Sequence, residues 1–356
     1  MKTHNFWRKS SVIGANVHSI LIPFLKCRQV GIRVKNASIT MRKTGYFRTK
    51  TNVLLLVGFF VMSACVGRLE TKPTITATCL LDPERQGKLA VAMPSDLSIS
   101  QGLRVLVWNI HDRLLPGAMF SSKGHSEEEI ACIGDIASKF DLVLFQEAFV
   151  RPAQIARYTN HDWADHPQFS QGGGGDWWPL RWVCEICMSP GLLMLAQEHP
   201  VFVHSEPYEA FAGWNTDEDK ADDFFSKGFQ LVQFPRFWVV HSHMDAGRGQ
   251  NSVDARANQF QQITEALRQR VPGDARVLVG MDANLRPELE EQDQSILDKF
   301  LQDNGLTLIL QHGPDLLATR NLRIERSQSL SLKGVLSDHD ALTAMIDPGG
   351  LVGSAP

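Results

Sequence analysis

Five short polar islands sit against apolar runs in this chain, and that arrangement limits the folds open to it more than any other feature. Asn109 follows LRVLVW, Gln146-Glu147 follow DLVLF, His241-Ser242-His243 follow FWVV, Asp282-Ala283-Asn284 follow RVLVGM, and Ser337-Asp338-His339 precede ALTAMI. Runs of this kind read as buried strands, and polar groups at strand ends fall where binding and catalytic residues gather. Carboxylates, carboxamides and histidines in those places point to an enzyme with a metal-assisted site.

The segments between the islands carry helical periodicity. Ser126 to Lys139 places Ile130, Ile133 and Ile136-Ala137 on one face, opened by Ser126 with Glu129 as a capping box. This predicts a crossover helix between the Asn109 and Glu147 strands. A second amphipathic helix, about Val253 to Arg270, should join the His243 strand to the Asp282 strand. Hairpins are expected for Leu192 to Ala196 with Val201 to His204, and for Phe229 to Phe234 with Phe237 to Val240. Together these give packed sheets flanked by helices in one domain over residues 101–348, with a tail at 349–356.

The N-terminal part has a different character. The first 64 residues hold 11 Lys or Arg and no Asp or Glu. Over 41–65 a basic start is followed by the apolar stretch Val53 to Met62 and then Ser63-Ala64-Cys65, the plan of an export signal. The stretch is shorter than the roughly 18 residues that cross a bilayer. VMSAC resembles a bacterial lipoprotein signal box, which makes Cys65 the expected lipidation site and the cell envelope the expected location; ordinary cleavage near Ala64, with secretion, is the alternative. Residues 1–40 are expected to be an untranslated upstream extension, since Met41-Arg42-Lys43 makes a conventional start. Residues 66–100 read as a tether with little structure.

Without the first 64 residues, 25 of the 36 basic residues remain against all 39 acidic ones, a charge of about −14. Nonspecific nucleic-acid binding needs a basic surface, so phosphate recognition here must be local and use a divalent cation. Cys184-Glu-Ile-Cys187 lacks a second pair for zinc and reads as a local disulfide or two thiols, while Cys132 reads as a small core residue. Trp163, Trp177, Trp178 and Trp182 fall in a glycine-rich loop that serves either as a lip for a lipid surface or as cover for a sheet edge.

The motifs VLVWNI, VLFQEAF, GLLMLAQEHPV, VVHSHMDAG, VLVGMDAN and LSDHDAL, in this order, resemble those of the endonuclease/exonuclease/phosphatase superfamily over roughly Leu103 to Ile346. The resemblance implies a four-layer α/β sandwich of two packed, mainly antiparallel sheets flanked by helices, with the site at one end. It implies Mg2+ on Glu147, with Asn109 beside it touching metal or phosphate. His243 and Asn284 become phosphate-oxygen donors, Asp282 and His339 compete to be the base that activates water, with His339 named first and Asp282 as its partner, and Asp338 orients a histidine or holds metal. The family usually carries an Asp-Tyr pair before the final Asp-His; here Arg323-Ile324-Glu325-Arg326 is nearest, so Glu325 or another residue must support His339.

Phe225-Ser226-Lys227-Gly228-Phe229, the following HSHMDAG, and the Arg256 and Gln259 pair are most similar to the sphingomyelinase branch, with Ser242 and Asp245 as departures from it. The expected activity is therefore hydrolysis of a phospholipid head-group phosphodiester at a membrane surface by a monomeric enzyme. The alternatives are a secreted Mg2+-dependent nuclease acting on nucleic acid and a non-catalytic exported binding module.

Overall fold

Period-two burial along the apolar runs decides the layering. In the computed structural model, β1 spans Leu103–Asp112 and sends Leu106, Trp108 and Ile110 to one side and Val105 and Val107 to the other. The first set packs with Ile130, Ile133 and Ile136 of a helix; the second packs with Leu278 and Leu317 of a different sheet. The structure describes residues 79, 81–93, 102–112, 124–169, 189–212, 226–286 and 290–347. The stretch expected to be an export signal, Cys65, Trp177, Trp178, Trp182, Cys184, Cys187 and residues 349–356 lie outside them.

The elements run α1 (Pro83–Ala92), β1, α2 (Glu127–Ala137), β2 (Leu142–Ala148), α3 (Pro152–Arg157), β3 (Trp163–Asp165), β4 (Leu193–Ala196), β5 (Phe202–Pro207), β6 (Gly228–Gln233) and β7 (Trp238–His243). They continue through α4 (Gln250–Arg270), β8 (Val277–Asp282), α5 (Glu291–Asn304), β9 (Thr307–His312), β10 (Asp315–Arg320), β11 (Arg323–Leu330) and β12 (Ala341–Asp347). One six-stranded sheet has the order β11-β12-β1-β2-β4-β3 and the other β5-β6-β7-β8-β10-β9. Each contains one parallel pair, β1 with β2 and β7 with β8, and is otherwise antiparallel. Those two pairs are the ones bridged by the expected crossover helices, because a parallel return needs a long connection. Ser126 caps α2 and forms the capping box with Glu129.

Three apolar clusters fill the gaps: one between the first sheet and its helices, one between the second sheet and α4 and α5, and one between the sheets. That is the four-layer sandwich the resemblance implied. Each fully buried Leu, Ile or Phe in these layers contributes about 1.5–3 kcal/mol.

Three expectations change. β6 and β7 form the anticipated hairpin, but β4 and β5 belong to different sheets. The chain leaves the first sheet at Gln197, whose N–H donates to Asp141, and joins the second at Val201, whose N–H donates to Gln233. The stretch 66–100 contains the helix α1, opened by Asp82 capping Arg85 N–H with Pro83 in the first turn. Arg85 anchors it, donating to the Val335 carbonyl and pairing with Glu129 at 2.7 Å. Cys132, read as a core residue, forms a disulfide with Cys79 just ahead of α1. Trp163 lies on β3 and meets Phe234 edge to face across the sheets.

Candidate active site

The same alternation that aims Val105 and Val107 between the sheets aims Asn109 there too, at the open end of the sandwich. On β8, Leu278, Gly280 and Asp282 share that side; on β7, Val239, His241 and His243 do; on β10, Leu317 and Asp315 do. Parallel register puts His243 beside Asp282, and antiparallel register puts Asp315 opposite Asp282. Four strands thus deliver polar side chains to one place.

Glu147 arrives differently. Alternation along β2 would turn it outward with Val143 and Phe145, but its φ of 57° is left-handed and breaks the alternation. Its Oε2 lies 3.2 Å from His111 Nδ1 and its Oε1 3.8 Å from His243 Nε2. Among the described residues four non-glycines have left-handed φ, and three of them, His111, Glu147 and Asn284, are at this end of the molecule. Each such conformation costs about 1–3 kcal/mol and persists where the surroundings impose it, a pattern typical of functional sites.

The contacts join the expected residues into one network. Asn109 Nδ2 donates to Asp282 Oδ2 at 2.8 Å, and the N–H of Asn284 donates to Asp282 Oδ1 at 3.0 Å. Asn284 Nδ2 donates to the Met244 carbonyl at 2.9 Å, leaving its second amide proton for another acceptor. His243 Nε2 stands 3.7 Å from Asp282 Oδ2. Asp338 Oδ1 is 3.3 Å from His111 Nδ1 and 4.0 Å from His339 Nε2. Ser337 Oγ donates to the Asn109 carbonyl and accepts from His339 N–H, which fixes the final loop to β1. Asn109, Glu147, His243, Asp282, Asn284, Asp338 and His339 are therefore all brought together.

The partner of His339 is Asp315, whose Oδ2 lies 2.7 Å from His339 Nδ1. Glu325, the substitute suggested by the sequence, is exposed on β11 and close to Gly102. Asp315 escaped notice because only the antiparallel register of β10 on β8 brings it opposite Asp282. The sequence alone assigns no role to two further groups, Lys227 entering only as part of the branch motif. Lys227 is 1% exposed, with Nζ 2.9 Å from His243 Nε2, and His111 spans Glu147 and Asp338.

Electrostatics tie these groups together. Burial raises the Asp315 carboxyl, the neighbouring Asp282 charge adds to it, and its pKa reaches about 7. Burial lowers His339, but the Asp315 hydrogen bond and the charges of Asp282, Asp315 and Asp338 outweigh it and carry it to about 10. For Asp282, burial acts upward, yet His243, His339 and the Asn109 hydrogen bond hold the carboxylate below its ordinary range.

The donor set fits a divalent cation. Glu147, Asp282 and Asp315 are each 1% exposed, an excess of buried carboxylate that a cation would relieve. His111 Nδ1, facing both Glu147 and Asp338, is buried with no hydrogen-bond partner among the described residues. Asp282, Asp315 and His339 also offer ligand atoms within 4.8 Å of one another. The 2.7 Å contact inside that trio is already a good hydrogen bond, and both Asp282 oxygens already accept hydrogen bonds, so the oxygens of Glu147, Asn109 and Asp338 are the better donors for a hard ion such as Mg2+.

No family model and no curated protein matches the sequence. Solved structures do. SmcL is 14% identical, with 69% of this chain and 99% of that one covered and a TM-score of 0.50. The endonuclease/exonuclease/phosphatase from Bacteroides vulgatus is 12% identical, with 70% and 99% covered and a TM-score of 0.50. Sphingomyelinase C from Streptomyces griseocarneus is 17% identical, with 69% and 99% covered and a TM-score of 0.49. At such identity the first two matches establish the shared fold.

Proposed function

We propose that this chain is a divalent-metal-dependent phosphodiesterase that cleaves its substrate by attack of water. The observation that carries the reading is the convergence of Asn109, Glu147, His243, Asp282, Asn284, Asp338 and His339 from separate strands onto one end of the inter-sheet space. A bound cation would neutralise phosphate charge. Glu147 leads its ligands, with Asn109 and Asp338 beside it.

The remaining side chains divide the chemistry. His243, held by Lys227, and the spare amide proton of Asn284 face the phosphate oxygens, where donors count most as charge develops. Asp282 is ionised and takes the proton of the attacking water. His339, protonated through its bond to Asp315, gives a proton to the leaving oxygen or to a phosphate oxygen. This inverts the order suggested by the sequence, in which His339 came first as base.

The substrate reading is a phospholipid head group cleaved in the manner of a phospholipase C. The signal-like stretch over 41–65, an acidic composition and a tryptophan-rich stretch of sequence support it, as does the Cys79–Cys132 disulfide, a bond suited to an oxidising compartment. Lipid anchoring through Cys65 would hold a monomeric enzyme at the envelope. The test is release of water-soluble phosphoesters from sphingomyelin, phosphatidylcholine and phosphatidylinositol vesicles, with Mg2+ and with chelator, beside plasmid DNA. Chelator-sensitive release, lost in Glu147→Ala, is expected. Plasmid nicking without lipid cleavage moves the assignment to a nuclease, and a biological effect that survives Glu147→Ala moves it to a binding module.

A further inference from the structure

A cavity of about 310 Å³ adjoins the site, sharing Asn284 with it and lined also by Arg248, Arg256, Arg286, Glu290 and Asp293. Three guanidinium groups face two carboxylates, and one of the carboxylates is engaged on both oxygens. Asp293 Oδ1 accepts from Arg256 at 3.1 Å and Oδ2 accepts from the N–H of Arg286 at 2.8 Å. Arg256 is 1% exposed and donates to the Gly247 carbonyl at 2.7 Å, while its Nε is buried with no hydrogen-bond partner among the described residues. The side chains of Arg248 and Arg286 make no hydrogen bond or ion pair with the described residues.

Two long helices also start at this cavity. The 21-residue α4 has Gly249 as its N-cap, directly after Arg248, and the 14-residue α5 has Glu290; neither cap has a side-chain bond to the first turn. At α4, whose first turn carries no acidic residue, the positive end of the helix dipole adds to the arginines, whereas at α5 Glu290, Glu291 and Asp293 offset it. In a chain whose body is strongly acidic, this cavity is a local cationic exception beside a phosphate-handling site.

We infer that the cavity is an anion subsite for a second phosphate group of the substrate, so that the site acts on a phosphodiester carrying a further phosphate rather than on one with a zwitterionic head group. The inference rests on the phosphodiesterase reading and narrows it. Asn284 links the two places: its side chain borders both the reacting phosphate and the cavity. Arg248 and Arg286 would engage the second phosphate directly, with Arg256 and Asp293 holding the frame.

The experiment compares substrates that differ by one phosphate: phosphatidylinositol 4-phosphate against phosphatidylinositol in vesicles, and thymidylyl-thymidine with and without a 5′-phosphate. In at least one pair the phosphorylated member should show about tenfold higher kcat/KM, and Arg248→Ala and Arg286→Ala should collapse that ratio. Which pair responds identifies lipid or nucleotide as the source of the phosphate. Calorimetry with inorganic phosphate in the presence of chelator runs alongside, since without a cation the acidic cluster repels phosphate and binding reports on the cavity. Hydrolysis with no preference in either pair overturns the subsite and leaves the phosphodiesterase standing. Absence of all hydrolysis, with phosphate binding lost in the arginine variants, overturns the phosphodiesterase and keeps the cavity as an anion site. Absence of both overturns both.

Discussion

At Asp315 the two carboxylate oxygens meet different surroundings: Oδ2 holds His339, and Oδ1 is buried with no hydrogen-bond partner among the described residues. Replacing Asp315 with Ala should free the His339 ring and lower kcat about 10- to 100-fold with little change in KM, as loss of an orienting partner does. Glu325→Gln on the exposed edge should leave kcat unchanged. Steady-state kinetics of the two variants decide it: a loss in Glu325→Gln with none in Asp315→Ala would reverse the assignment. Glu147, Asp282 and His243 were readable because each ends an apolar run. Asp315, Lys227 and His111 were not, since their importance depends on register and on a left-handed backbone that sequence periodicity does not encode.

Among the elements, the two crossover helices were legible because a capping box and a 3.6-residue apolar repeat are local signals. The placement of β5 was not, because two nearby strand-like runs look like a hairpin whichever sheet each finally joins. On β8, Gly280 packs directly against side chains of the facing sheet. A methyl there would meet Leu144 Cδ1 at 2.6 Å and Val107 Cγ2 at 2.7 Å on the facing sheet. Gly280→Ala should therefore destabilise the fold by about 1–3 kcal/mol through overpacking, measured by urea unfolding. An unchanged midpoint would mean that the inter-sheet layer yields more than its packing suggests.

Across the whole molecule, a polar strut runs between the sheets. Asp165 on β3 accepts from Gln230 on β6 at 2.6 Å, and Gln230 Oε1 lies 2.9 Å from Nδ1 of the fully buried His241. Burial pushes His241 down to about 3, with His243 adding to the effect. The unfolded histidine, near its ordinary value of about 6.5, takes up a proton that the folded one refuses, so stability falls as pH drops from about 6.5 towards 3. Burial raises the Asp165 carboxyl, which works the other way at lower pH. Between pH 7 and pH 5 the wild type should lose about 1–2 kcal/mol to His241, and His241→Gln should flatten that part of the profile. A parallel profile in the variant would remove His241 from the account. The Cys79–Cys132 bond closes a loop with a separation of 53 residues, so reduction should cost about 4 kcal/mol in the chain-entropy treatment, read as a lower melting temperature.

The pairing of β1 with β12, Leu103 against Ile346, sets an order in time. β1 lies in the middle of its sheet, yet one of its two neighbours, β12, is the last of the described strands to be made. Until the ribosome has finished β12, β1 is left with an open edge, and the loop bearing Asp338 and His339 has no strand to follow it. The first sheet therefore closes only after Ala341–Asp347 has been synthesised, about 230 residues after β1.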